Sequence, residues 1–152
     1  MQNQIITTNN INLHVMTDGP EDGTPVILLH GFPEFYFVWR KQIPALVEAG
    51  FRVIVPDQRG YNLSDKPKGI SAYDVDILAK DIVGLFDHFG IQKARLVGHD
   101  WGAPVAWHAA LLRPDLFRAV VGMSVPFSPP SRSEFLDELR KMGITNFYIQ
   151  YF

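Results

Sequence analysis

The chain contains no cysteine, which excludes disulfides and thiolate metal sites and makes a cytoplasmic setting the default expectation. It also lacks any run of about 18 apolar residues, and its opening Met1-Gln-Asn-Gln has neither the basic nor the apolar region of a secretory leader, so no membrane association is expected. Positive charge is not concentrated anywhere: 14 Lys and Arg against 16 Asp and Glu give a net charge of −2, without the basic stripe that nucleic acid or an anionic membrane surface requires. The five histidines are scattered, no His-Glu-x-x-His occurs, and the glycines do not form a phosphate-cradling loop, so neither a metal nor a cofactor is implied. What remains is an ordinary composition for a soluble domain, with 152 residues of which 47% are hydrophobic and 20% charged.

Two β-like runs, 5–8 and 11–16, flank Asn9-Asn10, a pair suited to a tight hairpin turn. Beyond the turn-rich stretch 18–25, the run 26–29 is apolar without alternation, the mark of a strand covered on both faces. Similar runs return at 52–56, 94–97 and 119–123, with helical patterns between them at about 36–48, 73–89 and 102–112. Buried strands alternating with amphipathic helices predict an α/β fold with a mostly parallel sheet and right-handed crossovers.

The most informative stretch is Leu96-Val-Gly-His-Asp-Trp-Gly102, where an acidic residue sits between two glycines at the junction of a strand and a helix. In the Gly-x-Ser-x-Gly form of this turn the central residue is lifted clear of the sheet on a strained backbone, which requires small residues two places before and after it. Gly98 and Gly102 meet that requirement, and Pro104 is tolerated in the first helical turn. A carboxylate in the nucleophile's place suits displacement at saturated carbon, giving an alkyl ester that water can cleave. Asp100 therefore points to epoxides or haloalkanes; the alternative is that it merely caps the helix.

Loops at the carboxyl ends of parallel strands carry function in such folds, and two more of them are unusual. His30-Gly-Phe-Pro-Glu34 follows the strand at 26–29, with Gly31 permitting close backbone approach and Pro33 a candidate cis proline. Beside the elbow, the N–H groups of Phe32 and Trp101 would together hold the oxyanion formed when an Asp100 ester is hydrolysed. A plain strand-to-helix turn is the other reading. The stretch 56–67 is dense in turn residues and reads as structural, with Asp57 and Arg59 close enough in sequence to pair locally.

Taken in order, His30-Gly-Phe-Pro-Glu34, Asp57-Gln-Arg-Gly-Tyr-Asn-Leu-Ser-Asp65 and Gly98-His-Asp-Trp-Gly-Ala103 resemble the α/β-hydrolase fold family and, within it, the epoxide hydrolases. The resemblance implies a two-step mechanism on a small hydrophobic epoxide, in which Asp100 opens the ring and an activated water then hydrolyses the ester. Haloalkane dehalogenases, close relatives, share aspartate followed by tryptophan but typically carry a halide-binding asparagine where this chain has Phe32, whose side chain cannot donate a hydrogen bond. Haloalkane or haloacid dehalogenation is the runner-up, and a non-catalytic ligand-binding member of the fold the third reading.

In the resembling enzymes two tyrosines on a helical cap protonate the epoxide oxygen. The proline-rich 125–131 ends the core, and helical patterns at 133–142 and 145–152 are where a cap would begin. Within Asn146-Phe-Tyr-Ile-Gln-Tyr-Phe152, Tyr148 aligns with the donor better than Tyr151, although aromatics on an amphipathic helix commonly serve packing alone. The expected organisation is thus 1–125 as the N-terminal part of the core and 126–152 as linker and first part of the cap. The remaining cap and core, with the base histidine and its acid partner, are expected outside the chain, leaving these residues inactive alone. Accordingly His30 and His99 read as hydrogen-bonded structural residues of the motif loops, His14 lies in a strand, and His88 and His108 lie on helices.

Overall fold

In the computed structural model, which describes residues 1–127, the chain opens with an antiparallel hairpin of β1 (Gln2–Thr8) and β2 (Ile11–Asp18). Asn9 and Asn10 form its two-residue turn with φ of 45° and 62°. Such a turn needs two successive residues with positive φ, which asparagine tolerates better than other residues with a side chain.

Four parallel strands follow, β3 (Thr24–Leu29), β4 (Phe51–Pro56), β5 (Ala94–His99) and β6 (Phe117–Met123), giving a sheet in the order β1-β2-β4-β3-β5-β6. β2 joins antiparallel to β4. The unbroken apolar run of β3 is explained by cover on both faces, since successive strand residues point to opposite sides. Ile27 and Leu29 enter a core with Ile82, Leu85 and Phe86 of α2 (Val75–Phe89) and Val105, Ala106 and Ala109 of α3 (Gly102–Leu112). Val26 and Leu28 enter a second core on the other face with Val53, Val55, Trp39 and Ile43 of α1 (Gln42–Glu48).

The helical pattern at 36–48 resolves into a 3-10 turn, Tyr36–Lys41, and only then α1. Pro44 is the reason: it has no N–H to bond the carbonyl of Arg40, so regular α-helical bonding cannot run back through that residue. Likewise the pattern at 73–89 becomes a 3-10 turn, Ile70–Tyr73, an extended Asp74 (ψ 140°) and then α2. α3 has the expected bounds.

This topology places a crevice. The chain leaves β3 toward β4 on one side and leaves β5 toward β6 on the other, while β3 and β5 are neighbours. Loops that diverge from adjacent parallel strands open a cleft at the strands' carboxyl ends, the usual binding place in open α/β sheets. The loops in question carry His30–Glu34 and Asp100. No helix among the described residues is long and apolar enough to cross a membrane. Tyr148, Tyr151 and nearly all of the expected cap segment lie outside the described residues.

Candidate active site

β5 ends at His99 and α3 begins at Gly102, leaving Asp100 and Trp101 to make the whole turn. Asp100 does so at φ 49°, in the left-handed region that a non-glycine residue rarely occupies. The turn is held by Asp100 N–H donating to the Met123 carbonyl at 3.1 Å and Ala103 N–H donating to the Asp100 carbonyl at 3.0 Å. Its glycines are obligatory for steric reasons. A Cβ on Gly98 would lie 2.2 Å from the Gly102 carbonyl oxygen, and one on Gly102 would lie 2.5 Å from that of Leu29. Gly31, in the facing loop, is as restricted, because a Cβ there would come within 2.4 Å of Asp100 Cβ.

That closeness is what lets the two loops communicate. The Phe32–Pro33 peptide is cis, and the Phe32 N–H donates to Asp100 Oδ1 at 2.9 Å. The N-cap position of α3 is Trp101, which makes no side-chain cap hydrogen bond, and the Asp100 carboxylate just before it engages the neighbouring loop. Trp101 stands at the entry of α3 with φ −59° and ψ −23°. The exposed Phe32 and Phe35 rings bring apolar surface to the same loop. Two concavities of the described surface, one lined by Gln4, Thr17 and Arg52 and another by Pro25, Ile91 and Lys93, include none of these groups.

His30 is fully buried and both its nitrogens are committed. Nε2 accepts from the Gln58 N–H at 2.9 Å, so the ring proton is on Nδ1, which donates to the Gly31 carbonyl at 2.9 Å. Burial lowers its pKa, against smaller upward pulls from the Gly31 carbonyl, Asp57 and Glu34. Below the ordinary imidazole value of about 6.5 the unfolded chain takes up this proton more readily than the folded chain, so the group's contribution to stability is complete above that value and declines as pH falls through it. The unfolding free energy from urea denaturation should therefore be lower at about pH 5.5 than at about pH 7.5, with this group contributing at most roughly 1.4 kcal/mol per pH unit. By NMR the His30 ring should titrate below the ordinary imidazole midpoint; protonation with an ordinary midpoint would contradict the assignment.

His99 lies 3.2 Å through Nδ1 from Glu34 Oε2, the oxygen that also accepts the Gly31 N–H at 3.1 Å. Both motif-loop histidines are thus hydrogen-bonded. Asp57 and Arg59 do not pair with each other, contrary to expectation. Buried Asp57 accepts from Tyr36 N–H (2.7 Å), Asn62 Nδ2 (2.7 Å) and His14 Nδ1 (2.6 Å). Arg59 instead forms a fork on Asp81 of α2, with Nε at 2.8 Å and its terminal nitrogen at 2.7 Å. Two residues apart on a chain leaving a strand, the side chains reach different neighbours, one in β2 and one in α2.

Two further residues belong to the site that residue types alone did not single out. Tyr61 packs edge-on against His30 at 4.8 Å, and burial, then the Asp100 charge, raise the pKa of its phenol. Gln58 binds His30 through both its backbone and its side chain. Both sit within the 56–67 stretch read as a turn network, whose density of polar residues was the only signal.

Residues 24–148 match the family model of the alpha/beta hydrolase fold. The chain belongs to the α/β-hydrolase fold family. Among curated relatives, this α/β-hydrolase is 47% identical over 151 residues to Epoxide hydrolase A of Mycobacterium tuberculosis, covering 98% of the chain and 47% of the relative. It is 54% identical over 123 residues to an AB hydrolase superfamily protein of Bacillus subtilis, covering 81% and 43% respectively. Among solved structures it superposes on Epoxide Hydrolase A from Mycobacterium thermoresistibile with a TM-score of 0.91 at 45% identity, over 99% of this chain and 48% of that one. An epoxide hydrolase from Vigna radiata gives 0.88 at 40% identity, over 97% and 48%. The α/β-hydrolase chain thus spans about half the length of the relatives it matches.

Proposed function

We propose that this α/β-hydrolase provides the nucleophile-bearing part of an epoxide hydrolase. The observation that carries the reading is the Asp100 carboxylate, raised on a positive-φ turn with one oxygen already held by the Phe32 N–H. The other oxygen attacks an epoxide carbon, the ring C–O bond breaks, and the departing oxygen takes a proton from Tyr148. The product is an ester whose carbonyl oxygen is the one facing Phe32. Water activated by a base then adds to that carbonyl, and the negative charge is stabilised by the N–H groups of Phe32 and Trp101 before the diol leaves and Asp100 is regenerated.

Neither nitrogen of His30 is available to act as the base, and His14 is buried against Asp57. The base histidine and its acid partner are read as missing from these 152 residues. The reading is tested by joining the chain to the C-terminal half of Epoxide hydrolase A of M. tuberculosis. Diol formation from an epoxide is expected, with a transient mass increase on Asp100 equal to the substrate after rapid quenching. Residues 1–152 alone should show no turnover. Halide release from a haloalkane without diol formation would favour dehalogenation, which the apolar Phe32 side chain argues against. Recovery of intact ligand with no adduct would favour a binding protein.

A further inference from the structure

We propose that Gln58 is a positioning residue for ester hydrolysis, holding the His30–Gly31–Phe32 backbone so that the Phe32 N–H stays aimed at Asp100. The inference rests on the aspartyl-ester reading and adds a residue to it. Two consecutive peptide units matter. In the His30–Gly31 unit, the carbonyl accepts from the Gln58 side-chain amide and the N–H donates to Glu34 Oε2 at 3.1 Å. In the Gly31–Phe32 unit, the carbonyl accepts from His30 Nδ1 at 2.9 Å and from the Glu34 N–H at 3.0 Å, and the N–H donates to Asp100 Oδ1 at 2.9 Å.

A trans peptide is planar with its C=O and N–H on opposite sides, so fixing the Gly31 oxygen aims the Phe32 hydrogen. The His30 ring can fix it only with its proton on Nδ1, and the Gln58 backbone N–H at Nε2 selects that tautomer. Between the two units sits Gly31, which has the broadest conformational range of any residue and cannot be replaced by a stiffer one because Asp100 Cβ occupies the space. Restraint must therefore come from hydrogen bonds. Gln58 is 6% exposed, so its amide is shielded from water and no solvent competes for the His30 carbonyl.

The test uses Gln58→Met, of similar length but without the donor, with Gln58→Glu as a second variant that places an acceptor against the His30 carbonyl. In the 15N-labelled chain, the wild-type Phe32 amide resonance should shift as the Asp100 carboxylate is protonated. In a folded Gln58 variant that response should be lost or split between two conformations. In the joined protein, the rate of ester formation, and with it kcat/KM, should stay near wild type while hydrolysis slows on the order of 10- to 10²-fold, so that the Asp100 ester accumulates and kcat and KM fall together. A folded variant whose Phe32 amide responds as in wild type, with unchanged hydrolysis, overturns the Gln58 assignment alone. Absence of any Asp100 ester in the wild-type joined protein overturns the chemistry beneath it instead.

Discussion

Asp100→Asn should abolish ester formation in the joined protein and lower diol production by on the order of 10⁴-fold or more, the scale seen when a covalent nucleophile is removed. An amide oxygen carries no full negative charge to deliver to an epoxide carbon, yet the substitution is nearly isosteric. Asparagine is also among the few residues that accept a φ of 49°, so the turn should survive. Its side-chain oxygen can still receive the Phe32 N–H that Asp100 Oδ1 receives at 2.9 Å. Stability should consequently stay within about 1 kcal/mol of wild type, which separates a chemical defect from a folding one. Rapid-quench mass spectrometry and diol assay check the first expectation, and urea denaturation the second. Appreciable turnover in a well-folded variant, with no aspartate regenerated by deamidation, would remove Asp100 from the nucleophile's role.

The features legible in the sequence are those fixed by neighbours along the chain. Asn9-Asn10 announced a positive-φ hairpin, and Gly98 and Gly102 announced a turn with no room for side chains around Asp100, because each constraint is local. The apolar runs of β3 and β4 signalled cover on both faces before any partner was known. What the sequence hid depends on strand order. Asp57 meets His14 because β2 lies against β4, and Arg59 meets Asp81 because α2 packs beneath the loop that leaves β4. Neither partner can be chosen from sequence spacing. Gln58 was concealed for the same reason, since its target is a carbonyl in a loop 28 residues earlier. Pro44 lay in plain view, but its effect on where α1 begins requires asking which carbonyl it leaves without a donor.

Asp81→Ala should be the most destabilising of the substitutions considered, at about 3–5 kcal/mol, because it strands a buried cation. Arg59 is 6% exposed and Asp81 2%, and the fork between them is the main interaction of the guanidinium. Hydrogen bonding to Asp81 raises the Arg59 pKa beyond its already high ordinary value, with burial opposing, so the arginine cannot escape by losing its proton. The same carboxylate accepts Asn9 Nδ2 at 2.7 Å, so its loss also frees the tip of the β1–β2 hairpin from α2. For a domain of this size a loss of that order lowers the melting temperature by roughly 10 °C. Replacing both members with apolar residues, Arg59→Met with Asp81→Leu, should recover much of the stability, since the penalty lies in the unpaired charge rather than in the absent pair. Urea denaturation of the three proteins decides the matter. A single Asp81→Ala loss below about 1 kcal/mol would mean that water reaches the guanidinium and that the network contributes no more than a surface ion pair.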